Sequence, residues 1–116
     1  QLPFIDGEIT IKGKINKDVS IDDGIKMAEV CAKALLSQLK AACNGDLDKV
    51  IKVVKLGGFV ASSPDFTDHP KIINGASDLI VKIFEEKGKH SRFAVGVASL
   101  PLNAPVEIEG IFEIKN

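Results

Sequence analysis

Neither tryptophan nor tyrosine occurs in this chain, arginine occurs once, and no apolar run approaches the roughly eighteen residues that a membrane-crossing helix requires. That last absence argues against a spanning helix. No signal-peptide pattern opens at Gln1 either, so a reducing cytoplasm is the expected location. Dense basic patches are missing as well: 15 Lys plus Arg against 16 Asp plus Glu leave a formal charge of −1, with no lysine block to displace counterions from a nucleic acid. The only aromatics are six phenylalanines, dispersed through apolar stretches where core packing accounts for them better than base stacking. A nucleic-acid partner is therefore disfavoured. His69 and His90 are not spaced with cysteines or carboxylates as a zinc site, and neither a Gly-x-Ser-x-Gly elbow nor an organic-cofactor motif occurs. No metal and no cofactor are expected. Cys31 and Cys43 fall in one expected helix, about 18 Å apart along its axis, too far for a disulfide, so buried thiols are expected.

What the chain does have is an ordinary folding composition, 45% hydrophobic and 27% charged. Its 116 residues suffice for one domain, spanning 1–116, and a domain of this size buries roughly two-thirds of its unfolded surface. Residues 1–5 read as the end of a strand, Asp6-Gly7 as a turn and Glu8 to Ile15 as an alternating strand, together a hairpin. Ser20 or Asp22 then caps a helix in which Ile25, Ala28, Cys31, Ala32, Leu35 and Leu39 recur at helical spacing, ending near Asn44-Gly45. Val50 to Ser62 is β-branched and predicts a strand, with Gly57-Gly58 as a bulge or a close backbone contact. Thr67 or Asp68 caps a second helix with Pro70 in its first turn and Ile72, Ile73, Ala76, Ile80 and Ile83 among its buried positions, ending at Lys87-Gly88. Ser91 to Leu100 and Val106 to Ile114 alternate as two further strands. The order β-β-α-β-α-β-β predicts an α+β fold, two helices on one face of a mixed sheet, with a subunit interface covering the other face.

Several segments then carry a family resemblance: Gln1-Leu2-Pro3, Gly45-Asp46-Leu47-Asp48-Lys49-Val50, and above all Ser91-Arg92-Phe93-Ala94-Val95 running through Leu100-Pro101 to Val106-Glu107-Ile108-Glu109. The chain resembles the Rid (reactive intermediate deaminase) family, also called YjgF-like or endoribonuclease L-PSP. The resemblance implies a chorismate-mutase-like fold assembled as a homotrimer, with a leading family strand that this sequence does not include.

It also implies a site. Arg92 matches the family arginine that binds a small acid's carboxylate in a cleft between subunits. Its chemistry agrees, because fourteen lysines against one arginine suggest a position that needs a planar bidentate fork. The plainer reading of Arg92 is a surface ion pair. Glu107 matches the glutamate that positions or protonates the attacking water, a task suited to a partly desolvated carboxylate; the plainer reading is a solvated strand face. Asn74 resembles a position near the cleft, or is an ordinary solvent-facing helix residue, and the Leu100-Pro101 to Pro105 loop could shape the rim.

If Pro101 to Pro105 form a simple hairpin loop, Glu107 lies opposite Ser99, roughly 24 Å along the strand from Arg92. One subunit could not then unite the pair. Either they meet across a subunit interface, the favoured reading, or these strands are not a register-matched hairpin. The expected activity is hydrolysis of small 2-imino or 2-enamino acids to 2-oxo acids and ammonia. Ala94 stands where many deaminating members carry Cys, and no tyrosine matches the one common near their N-terminus. A non-catalytic trimer binding small carboxylic acids or a protein is therefore the alternative, and an endoribonuclease the third.

Overall fold

The structure, a computed structural model, describes all residues 1–116. Two helices lie on one face of a three-stranded mixed sheet. The first, α1 (Ile21–Ala42), is capped by Ser20, whose hydroxyl accepts from the Asp23 amide at 3.1 Å, with Asp22 and Asp23 in the first turn and Lys40 in the last. Its buried stripe is Met27, Ala28, Cys31, Ala32, Leu35 and Leu39. The second, α2 (His69–Phe84), has Pro70 in its first turn and buries Ile72, Ile73, Ala76, Ser77 and Ile80. Asp68 is the N-cap but makes no side-chain capping bond.

Strands β3 (Val50–Ala61), β4 (Ser91–Val97) and β5 (Val106–Ile114) form the sheet in the order β4-β3-β5, with β3 parallel to β4 and antiparallel to β5. Pro101 to Pro105 do not form a simple hairpin loop, because β3 lies between the two strands they connect. Burial accounts for the arrangement. Val53, Leu56 and Val60 of β3 have no exposed surface, and Gly57 and Gly58 leave room for Phe93 on one face and Ile73 on the other, where any Cβ would collide. A strand that neighbours crowd on both faces belongs in the middle. On the helix side, Leu56, Val60, Ile72, Ile73, Ile80, Val106 and Ile108 form the centre of a fully buried core.

The first hairpin is much shorter than expected: β1 (Phe4–Ile5) pairs only with β2 (Glu8–Ile9). Gly13 at φ 116° and Asn16 at φ 68° take left-handed conformations that no strand continues through. The chain instead folds Ile15 into the core, where it bridges to Ser62. Gln1 exchanges backbone hydrogen bonds with Ile108 on the outer edge of β5, at 2.7 and 3.0 Å. No helix is long and apolar enough to cross a membrane.

The sheet face away from the helices is not covered within the chain. It carries Phe59, Phe93, Val95 and Ile111, the last two 43% and 52% exposed, interspersed with Lys55, Glu107 and Glu109.

Candidate functional site

Arg92 is the second residue of β4, in register with the buried Leu56, so its side chain emerges on the helix face of an edge strand. There α2 meets it. Asn74 and Ser77, three residues apart, share one side of that helix. Nη1 of Arg92 donates to Asn74 Oδ1 at 2.7 Å and to Ser77 Oγ at 3.3 Å. Ser77 Oγ also lies 2.9 Å from His90 Nε2, while His90 Nδ1 bonds the Gly88 carbonyl. The turn after α2, where Glu85 reverses the chain at φ 55° and Glu85–Gly88 wind as a 3-10 helix, delivers His90 to this place.

Arg92 is exposed and has no acidic partner, since the chain's two salt bridges are Lys33–Glu29 and Lys89–Glu86. The surface ion pair is thus not formed, and neutral groups hold the guanidinium. Its two Nη1 hydrogens are taken, so the edge formed by Nε–H and Nη2 remains for a planar anion. Asn74 faces solvent, and its amide oxygen bonds the arginine.

Glu107 is elsewhere. It faces Phe59 in the β3–β5 register, half-buried on the uncovered sheet face, and takes part in neither salt bridge. Nearby, Phe59 and Phe93 meet edge to face at 5.2 Å, and Lys55 Nζ lies 5.0 Å from the Phe93 ring centre. Arg92 and Glu107 are three β3 positions and two strand spacings apart, roughly 14 Å between Cα atoms, rather than the distance a hairpin would impose. They also point to opposite faces of the sheet, which separates them within a subunit more decisively than distance does.

The Pro101 to Pro105 loop lies at the far end of β4 from Arg92. Leu102 and Asn103 both sit at φ 58°, and the loop is anchored by bonds from Gly13 N to Asn103 O and from Ala61 N to Pro105 O, each 2.9 Å. It cannot rim the Arg92 site of its own chain. The largest cavity, about 370 Å³, also lies away from Arg92, between Ser62, Ser63, Phe66, His69 and Gly96. His69 is the first residue of α2, with Nε2 at 3.4 Å from Ser62 Oγ. Ala94 places only a methyl on the helix face two residues beyond Arg92. Both cysteines are free and buried, and burial pushes the Cys31 thiol up to about 12, which leaves it protonated and unreactive at neutral pH.

Ser77 and His90 were not legible as site residues. The three-residue spacing of Asn74 and Ser77 was available as a signal, but His90 reaches Ser77 only through the turn at 85–88.

Residues 1–112 match the family described as YjgF/chorismate mutase-like, "putative endoribonuclease". The chain belongs to this YjgF-like family. It is 46% identical over its whole length to Protein TCP17 of Trypanosoma cruzi, covering 72% of that protein. The crystal structure of Atu1372 from Agrobacterium tumefaciens, a protein of unknown function, superposes with a TM-score of 0.97 at 50% identity, over 99% of this chain and 72% of that one. A crystal structure from Shewanella oneidensis, called a "putative endoribonuclease", gives 0.93 at 30% identity, over 98% and 75% of the two chains. The two helices on a mixed sheet described above are the YjgF-like fold. Of these three relatives, only the Shewanella oneidensis protein carries a name that gives an activity.

Proposed function

We propose that this YjgF-like chain hydrolyses small 2-imino and 2-enamino acids to 2-oxo acids and ammonia, in clefts between the subunits of a homotrimer. One observation carries the reading: the only arginine is exposed, lacks an acidic partner, and is held by Asn74 and Ser77 with a bidentate edge free. A small carboxylate is the ligand such an edge fits best.

With the carboxylate on Arg92, the adjacent C=N carbon is fixed in space, and an enamine substrate first takes a proton at carbon to become the imine. Water adds to the C=N carbon and gives one proton to nitrogen, forming a carbinolamine; its hydroxyl proton then passes to nitrogen as the C–N bond breaks, leaving the 2-oxo acid and ammonia. Glu107 is the proton carrier we assign. Because it faces away from Arg92 in its own subunit, the carboxylate comes from a neighbour that meets the exposed edge of β4, the strand that carries Arg92. Such acids hydrolyse slowly unaided, and oriented acid-base assistance of about 100-fold to 10,000-fold would suffice. The chemistry needs no metal or cofactor, and the free thiols accord with a cytoplasmic setting.

The alternative, a non-catalytic trimer that binds small carboxylic acids or a protein, is favoured by Ala94, which puts a methyl beside Arg92, and by the absence of tyrosine. Endoribonuclease activity, the name some relatives carry, sits poorly with the −1 charge.

The decisive experiment follows freshly generated 2-iminopropionate as pyruvate release, comparing wild type, Arg92→Ala and Glu107→Gln at equal trimer concentration. Acceleration lost in both variants is the expected result. No acceleration by folded wild type that still binds pyruvate transfers the conclusion to the binding module, and salt-sensitive RNA cleavage would favour the nuclease.

A further inference from the structure

We infer that Ser77 and His90 are positioning residues for Arg92, forming a directed hydrogen-bond relay that fixes which edge of the guanidinium meets the ligand. The inference rests on Arg92 being a carboxylate anchor, and extends it to two residues outside the family motif.

The direction of each bond follows from what its atoms can do. The Gly88 carbonyl only accepts, so His90 Nδ1 carries a hydrogen. In the neutral imidazole Nε2 is then an acceptor, and Ser77 must donate its single hydroxyl hydrogen to it across 2.9 Å. That commits the rotor. With its hydrogen spent on His90, Ser77 Oγ offers only lone pairs to Arg92, and Nη1 donates into them at 3.3 Å while its other hydrogen goes to Asn74 at 2.7 Å. Ser77 is 9% exposed, so water does not readily replace either partner. Without His90 the hydroxyl could turn its hydrogen toward Asn74 Oδ1 and compete with the arginine for the same acceptor. The long, flexible Arg92 side chain, standing on an edge strand, would then sample several orientations, and ligand binding would have to freeze it.

The relay therefore acts before any ligand arrives. It spends both Nη1 hydrogens, suppresses rotation of the guanidinium and keeps the Nε–H and Nη2 edge outward. Neither Ser77 nor His90 need touch substrate.

Two readouts test this separately. The first needs no ligand: ¹⁵N NMR of the native protein should find His90 protonated at Nδ1 and bare at Nε2, with Arg92 guanidinium hydrogens in slow rotation. Ser77→Ala and His90→Phe should make that rotation fast. A freely rotating Arg92 in the wild type overturns the relay, whether or not the protein binds acids. The second is calorimetric titration with pyruvate. Ser77→Ala, which removes one hydrogen bond to a charged group, should weaken binding by roughly tenfold, and His90→Phe, which frees the Ser77 hydroxyl to turn, should weaken it by several-fold. Ser77→Thr, which keeps the hydroxyl, and His90→Gln, whose amide oxygen can take the place of Nε2, should remain near wild type. If Ala and Phe variants bind as tightly as wild type, or if Thr and Gln fail as badly while remaining folded, the relay is wrong. If neither wild type nor Arg92→Ala binds pyruvate while the NMR pattern is present, the carboxylate reading falls and the relay stands.

Discussion

The two faces of the sheet treat their charged residues differently. On the helix face, Arg92 is tied through Asn74 and Ser77 to α2 and through His90 to the turn behind it; on the other face, which also carries Phe93 and Ile111, Glu107 stands beside Phe59 outside both of the chain's salt bridges. One subunit completes the first environment and leaves the second open. Preorganisation of the arginine is thus a property of the fold, whereas the environment of the glutamate is a property of whatever covers that face.

The strongest way to break this comparison is to deny the open face its cover. Ile111→Asp places a charge at an exposed apolar position, and sedimentation should report monomers in place of trimers. Pyruvate release from 2-iminopropionate should vanish with assembly although Arg92 and its partners are intact; a variant that stays trimeric would remove the open face as the interface. Next in size, Arg92→Lys keeps the charge but loses the planar fork, and kcat/KM should fall about 1,000-fold through misplacement of the reacting carbon. A loss of only a few-fold would mean that charge, not the fork, is what the site uses. Glu107→Gln should lower kcat about 100-fold while pyruvate affinity in calorimetry stays unchanged, separating proton transfer from binding.

The smallest effect belongs to the interior beneath both regions. Cys31, raised by burial from an ordinary 9.0 to about 12, is protonated in the folded chain at pH values where the unfolded thiol ionises. Its contribution is therefore complete below about pH 9 and is lost as pH climbs toward 12, at about 1.4 kcal/mol per pH unit. Urea titrations across pH 8–11 should show a steeper alkaline decline for wild type than for Cys31→Ala; parallel curves would mean that this thiol does not contribute.

Much of the fold was legible because amphipathic spacing speaks about burial directly. Cys31, Ala32 and Leu35 announce one helix face and Ile72, Ile73, Ala76 and Ile80 the other, and the alternation of Val106, Ile108 and Glu107 announces β5. The misreadings share a cause. Alternation through Ile9 and Ile11 predicts a strand to Ile15, although Gly13 and Asn16 turn the chain away. The short Pro101 to Pro105 connection suggested neighbouring strands, although neighbours in sequence need not pair when a third strand buries more by lying between them. For the site, Arg92 stood out as the sole arginine and Asn74 by its resemblance, whereas Ser77 and His90 look like an unremarkable helix serine and a loop histidine.

The amino-acid sequence by itself determined the element types, the apolar stripes that become the core, the near-neutral charge and the single planar cation. These depend on local spacing and composition. Only the tertiary structure decided that β3 separates β4 from β5, that Arg92 and Glu107 face opposite sides of the sheet, and that a turn carries His90 back to Ser77. Each of those depends on which distant surfaces exclude water together, and a choice among non-local burials cannot be read from any one stretch of chain.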